Sequence, residues 1–263
     1  METTLASIHV YPIKSLGGFS AAEAPLTDRG LQHDRRWMLV DGQGRFLSQR
    51  EVAGMARLHC APAADGFRVT DLRDGAAIDL PWTIATHRKE RVNIWDDALD
   101  ALHGEARWDL WFSDRLEREV RLVHMPDASQ RPTDPTYARA FTSLSDGFPY
   151  LAISQASLDE LNARMSSPIP MDRFRPNLVI AGGSAFQEDA WRDVMIGSAR
   201  FQFVKPCARC VITTTDQRTG ARGKEPLRTL ATFRSAGQKV MFGMNVVGDV
   251  SGKIRAGDAV RPL

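Results

Sequence analysis

Cys207 and Cys210 form a C-x-x-C pair directly ahead of Val211-Ile212-Thr213-Thr214-Thr215, a β-branched run that predicts a strand with two sulfurs at its entrance. Few arrangements satisfy such a pair. A tetrahedral zinc site and a cysteine-bound iron–sulfur cluster each want four ligands. The chain holds one further cysteine, Cys60, no second C-x-x-C, and six histidines without H-x3-5-H spacing. A thioredoxin-type dithiol sets its first cysteine at a helix N-terminus, whereas a strand is predicted here. Two readings stay open. One is a single thiolate serving as a soft metal ligand among basic residues such as Lys205 and Arg209; the other is a pair of buried structural cysteines.

Strand signals dominate the rest of the chain. Leu5–Tyr11 alternates apolar and polar residues and stops at Pro12; Met38–Ser48 predicts two short strands about a glycine turn. From Leu58 to Trp95 short runs such as Phe67–Thr70 and Ala77–Leu80 alternate with Asp-Gly turns, a pattern of barrels and sandwiches. Between about Asp97 and Leu116 the period changes: Trp108, Trp111, Phe112 and Arg115 predict an amphipathic helix whose aromatic face packs into the core. Arg118–Met125 predicts a strand, and the Pro-, Asp- and Arg-rich stretch 126–139 a loop between two halves. Further on, Tyr150–Ser154, Leu178–Ala181, Val240–Val247 and Ile254–Pro262 predict strands. Ser157 with Glu160 reads as a capping box, and a last helix runs from Pro226 to Gly237. The fold class is mostly β with α (α+β), divided loosely near residue 125.

A near-neutral charge of +2 gives no support for a nucleic-acid or membrane-surface role. No spanning run or signal-type segment is visible and cysteines are few, which predicts a cytoplasmic protein. Functional chemistry must therefore be local. Lys14 and Ser15 beside Gly17-Gly18 could cradle an oxyanion or simply form a turn. Arg35, Ser48 and Arg50 fall at hairpin ends, where guanidinium forks would suit a phosphate or pterin carbonyl, though the residues alone favour a solvated surface cluster, with Asp34 orienting an arginine. Arg175, fixed by Pro176 and followed by Asn177, offers a planar fork at a strand mouth.

Several of these segments together resemble one family. Cys207-Ala208-Arg209-Cys210 followed by Thr-Thr-Asp, Thr219-Gly220 and Lys224-Glu225-Pro226-Leu227, with Phe174-Arg175-Pro176-Asn177, is similar to the MOSC domain, in the branch of the amidoxime-reducing proteins. Tyr11–Ser15 (YPxKS) and Asp34–Trp37 (D-R-x-W) extend the likeness from Tyr11 to the C-terminus. The resemblance implies an N-terminal MOSC-type β-barrel domain, 1–125, packed on a MOSC β-barrel domain, 126–263. It implies a molybdenum cofactor (molybdenum on molybdopterin) with Cys210 as metal ligand and catalytic centre. The cofactor contacts it implies are Lys14, Ser15, Arg35, Ser48, Arg50, Asp146, Gly147, Phe148, Arg175, Asn177 and Cys210. Gly147 and Phe148 replace small hydroxyl residues of the relatives, and Glu188, Asp189 and Trp191 are expected to be structural. The implied reaction is reduction of N-hydroxylated compounds such as amidoximes, hydroxylamines and N-hydroxylated bases. Electrons would come from a separate ferredoxin-like, haem or flavin protein, because the chain lacks the cysteines for a cluster of its own. The competing expectation is a carrier of the cofactor, or of sulfur as a persulfide, without turnover; it lacks room for the pyridoxal-phosphate domain of the cofactor sulfurases.

Overall fold

A computed structural model describes residues 2–263. Two ten-residue strands, Ala199–Ala208 and Lys239–Gly248, run antiparallel at the centre of its largest sheet, which has nine strands. Outward from Ala199–Ala208 lie Asp193–Ile196 and Val260–Pro262. Outward from Lys239–Gly248 lie Tyr150–Ser154, Leu178–Ala181, Thr4–Val10 and Phe19–Ala21, with Ser235–Ala236 added at one end. Inward residues alternate with solvated ones: Ala199, Phe201 and Phe203 are buried while Arg200 and Gln202 are exposed. Leu5, Ile8, Tyr150 and Met244 complete that core. Tyr150–Ser154 and Leu178–Ala181 pair in parallel, so helix α2, Gln155–Ala163, serves as their crossover.

A second body forms from residues between the first and last parts of this sheet. Trp37–Val40, Arg121–His124, Asp97–His103 and Lys89–Ile94 make a four-stranded sheet, and Leu58–Ala63, Gly66–Asp71 and Ala77–Pro81 a three-stranded meander. Helix α1, Ala106–Leu116, closes its core by burying Trp108 and Phe112 against Trp37 and Phe67. The chain thus starts in the large sheet, where Thr4–Val10 pairs with Leu178–Ala181, and Glu23–Thr27 also pairs with Lys253–Arg255. It then builds the second body and returns at Tyr150. The architecture is mostly β with α, as expected. Among the described residues no helix is long and apolar enough to cross a membrane.

Five local expectations are corrected. Val211–Thr214 is a 3-10 turn, not a strand. Pairing of Ala199–Ala208 ends at Ala208–Met241, and the hydroxyls of Thr213 and Thr214 then bond back to the carbonyls of Cys210 and Val211 at 3.0 and 2.8 Å, offering the backbone a local alternative to a ladder. Asp97–His103 is a strand, because Leu99, Ala101 and His103 are buried at period two, and the helix begins only at Ala106. Helix α2 is capped by Ser154, whose Oγ accepts from the Ser157 amide at 3.1 Å; Ser157 faces inward to Glu188 and Glu160 pairs outward with Arg164. Helix α3 is short, Leu227–Ala231, and Gly237 (φ 58°) turns the hairpin that follows. The second arm of Met38–Ser48 is reduced to one bridge, Val40 to Phe46.

Candidate functional site

The two bodies enclose a cleft lined by Lys14, Ser15, Arg35, Ser145, Asp146, Phe174, Arg175, Cys207, Arg209, Cys210 and Asn245, among others. Its basic end is built on Tyr11. The Arg35 and Arg175 guanidiniums each stand 4.4 Å from that ring's centre. Asp34, 1% exposed, compensates them: Oδ2 accepts from Arg35 Nη1 at 2.6 Å and Oδ1 from the Tyr11 amide at 2.9 Å. Asn177 Oδ1 also accepts from Arg35 Nη1, at 2.9 Å, and the Arg175 carbonyl accepts from Arg35 Nη2 at 3.2 Å. Burial, opposed by the Tyr11 phenol and reinforced by Arg35, pushes Arg175 down to about 10, so it stays charged at neutral pH. Its Nη2 is buried without a partner among the described residues.

Three of the seven non-glycine residues with positive φ among the described residues lie here. Ser15, Arg35 and Arg175 all adopt left-handed φ values of 68°, 48° and 56°, an unfavourable region for side chains of this size. Three strained residues on one cleft are a signature of imposed geometry.

A second cluster surrounds Asp146. Lys14, 5% exposed, donates from Nζ to Oδ1 at 2.7 Å, and Arg50 donates from Nη2 to Oδ2 at 2.9 Å. Burial lowers Lys14 to about 8 against the pull of Asp146. Lys14 and Arg50 together hold the Asp146 carboxyl below the usual carboxylate range, although its side chain is 59% exposed. Arg50 stacks over Trp95 at 4.5 Å and has the Cys210 sulfur beside it; that thiol and Asp146 raise the Arg50 pKa against burial. The Asp146 turn is clamped by Arg131, which donates to the carbonyls of Ser145 at 2.5 Å and Asp146 at 2.8 Å and to Asp97 at 2.6 Å.

Both thiols of the C-x-x-C pair are half-buried and line this cleft. Arg209 Nη1 donates to Cys207 Sγ at 2.9 Å, and its Nη2 is fixed on the Phe174 carbonyl at 2.8 Å. Cys60 is different: it is sealed in the core, and burial pushes its thiol up to about 12. Across the cleft the two bodies are pinned by a reciprocal amide pair, Gln49 with Gln217 at 3.0 Å in both directions, and by Arg222 donating to the Gln49 and Arg50 carbonyls.

Residues 2–119 match the MOSC N-terminal beta barrel domain and residues 141–261 the MOSC domain. Mitochondrial amidoxime-reducing component 1 of Homo sapiens is 31% identical over 98% of this chain and 82% of its own length. This chain belongs to the MOSC family. Mitochondrial amidoxime reducing component 2 of Rattus norvegicus is 30% identical over 98% of the chain and 82% of itself. The molybdenum cofactor sulfurase of Oryza sativa subsp. japonica is 31% identical over 91% of the chain, which spans only 32% of that sulfurase.

In this MOSC protein the cleft gathers Lys14, Ser15, Arg35, Asp146, Arg175 and Cys210, with Arg50 against Asp146. Four other candidates do not line it. Ser48 is buried and its Oγ accepts from the Arg50 amide at 3.2 Å, holding the turn. Asn177 spends both ends of its amide inside the protein, on Arg35 and on the His9 carbonyl, and so positions the arginine. Phe148 is 8% exposed and packs against Tyr137, while a side chain at Gly147 would meet nothing within 4 Å. Asp34 orients Arg35 as expected, and Glu188 is buried on Ser154 and Ser157. Sequence reasoning missed Tyr11, Gln49, Arg131, Gln217 and Asn245. Only Tyr11 carried a signal, as the aromatic of the Tyr11–Ser15 motif.

Proposed function

We propose that this protein holds a molybdenum cofactor in the cleft and uses it to reduce N-hydroxylated compounds with electrons from a separate donor protein. The observation that carries the reading is the convergence of Lys14, Arg35, Arg175 and Cys210, drawn from both ends of the chain, on one cavity. The donor set fits the group. Its phosphate and pterin oxygens need charged and neutral donors, which the Lys14 ammonium, the Ser15 hydroxyl and the Arg35 and Arg175 forks supply. The unpartnered Nη2 of Arg175 and Nη1 of Arg50 are donors awaiting an acceptor. A soft thiol suits the metal, and Arg50 stands beside Cys210. The departure at Gly147 and Phe148 leaves Asp146 to shape that wall through Lys14 and Arg50.

When bound, the cofactor would supply the two-electron chemistry: an amidoxime takes up two electrons and two protons, its N–O bond breaks, and water and an amidine leave. The residues of the chain do the rest. Arg35 and Arg175, gathered on the Tyr11 ring, fix the anionic part, and Arg209 holds Cys207. The names of the relatives, amidoxime-reducing component and molybdenum cofactor sulfurase, support a role tied to this cofactor. Metal analysis of the purified protein, followed by benzamidoxime reduction driven by a reduced dye, tests the reading. Molybdenum with turnover is expected. A loaded protein that turns over no N-hydroxylated compound would point to the carrier instead, and a protein without molybdenum would sink both.

A further inference from the structure

The hairpin from Lys89–Ile94 to Asp97–His103 turns on two residues, Trp95 and Asp96. Trp95 takes the first place with φ 54°, a left-handed conformation that two-residue turns usually give to glycine or asparagine and that a bulky side chain rarely adopts. Its indole is also 48% exposed, so core packing alone does not account for it. Three ties fasten the turn to one wall of the cleft. The Arg50 guanidinium lies 4.5 Å from the ring centre, and the same guanidinium donates to Asp146 and stands beside Cys210. Phe46, 5.0 Å away between ring centres, carries the Lys14 ammonium over its own ring at 5.3 Å, and that ammonium also donates to Asp146. Asp97, the residue after the turn, accepts from Arg131, whose guanidinium holds the Ser145 and Asp146 carbonyls. Yet Trp95 is not part of the enclosed lining. It stands at the rim on the Asp146 and Cys210 side, apart from the Arg35 and Arg175 pair on Tyr11. A strained, half-exposed indole held at that place offers a flat apolar surface to whatever enters from solvent, and aromatic rings stack on such a surface.

We propose that Trp95 is a specificity-determining residue: its indole stacks on the ring of planar aromatic N-hydroxylated substrates, aromatic amidoximes and N-hydroxylated bases, as they enter the cleft. The site then favours these over aliphatic amidoximes, which bring the same N–OH group without a ring. This rests on the reductase reading above. The experiment measures benzamidoxime and acetamidoxime binding to the oxidised holoprotein by titration calorimetry, without reductant, alongside metal content. Trp95→Gly removes the ring and places at φ 54° the residue that tolerates it best. It is expected to keep its molybdenum, to weaken benzamidoxime binding by about tenfold and to leave acetamidoxime binding unchanged. Trp95→Phe, which retains a ring at the same place, is expected to bind benzamidoxime better than Trp95→Gly and guards against a folding defect. Equal benzamidoxime binding by wild type and Trp95→Gly overturns the inference alone. So does equal weakening of both amidoximes, which would reduce Trp95 to a support for Arg50, and so does loss of molybdenum from both variants, which would assign it to the cofactor. A wild type that carries molybdenum yet neither binds nor reduces benzamidoxime overturns the functional reading, and the inference with it.

Discussion

Two arginines share the Tyr11 ring, Asp34 pairs with one of them, and neither position is comfortable for its backbone. Such an arrangement is stable only if something holds it, and Asp34 and Asn177 do so from the protein side. The thiols divide in the same way, Cys210 beside Arg50 and Cys207 held by Arg209. Cys210→Ala should therefore lose molybdenum and reduce benzamidoxime only at background rate. Cys207→Ala should keep the metal and lose roughly ten- to a hundredfold in rate, the scale for a residue next to a metal ligand; equal loss in both would contradict the single-ligand assignment. Lys14 gives a pH test. With its pKa lowered to about 8, it is charged below that pH and neutral above it, so the contribution of Lys14 to anion binding in the Asp146 cluster is present below pH 8 and fades as pH rises through it. Stability moves the other way: between about 8 and 10.5 the unfolded chain keeps the proton that the folded chain has lost, so folding gains as pH rises. Dialysed holoprotein should retain less cofactor at pH 9 than at pH 7, and Lys14→Met should flatten that difference. The motif residues Lys14, Arg35, Arg175 and Cys210 were legible because each sits in a short, dense segment. Asn245 and Gln217 were not, since an amide in a strand or loop looks the same whether it faces solvent, a cleft or another amide.

Elements were legible where burial follows a simple period. Phe201 and Phe203 alternate with exposed neighbours, and Trp108 and Phe112 share a helix face, so those segments declare themselves. Threonine hydroxyls that bond their own turn defeated the β-propensity of residues 211–215, because propensity describes a pleated, half-buried surface that Thr213 and Thr214 never join. The stretch 126–139 was read only as a polar loop, yet Arg131 within it is 4% exposed and clamps the Asp146 turn. Arg131→Met should leave the carbonyls of Ser145 and Asp146 short of donors. It is expected to lower unfolding free energy by about 2–3 kcal/mol, the range for hydrogen bonds to a charged group, and to loosen cofactor retention through the displaced Asp146. Urea melts and metal content check both; a variant as stable as wild type would show that the loop holds its shape without the guanidinium.

At the scale of the whole molecule the cleft exists because two bodies are tied along one seam. Thr4–Val10 is donated to the large sheet before the second body is built, and Gln49, Gln217 and Arg222 stitch the far side. Loss of either body therefore opens the site, and the second body has an acid-sensitive point. His124 ends the strand Arg121–His124, is 3% exposed and lies edge-on to Trp37 at 4.7 Å between ring centres. Burial, helped by the charge of Arg36 and opposed by Asp127, lowers its pKa from 6.5 to about 4. Between those values the unfolded chain binds a proton that the folded chain refuses, so stability present above pH 6.5 is lost progressively as pH falls toward 4 and the loss levels off below it. The full shift corresponds to roughly 3 kcal/mol. Wild type should therefore lose that much more between pH 7 and pH 4 in urea unfolding than His124→Met, in which the buried site cannot titrate. Parallel losses in the two proteins would show that carboxylates elsewhere, not this histidine, set the acid limit of the seam.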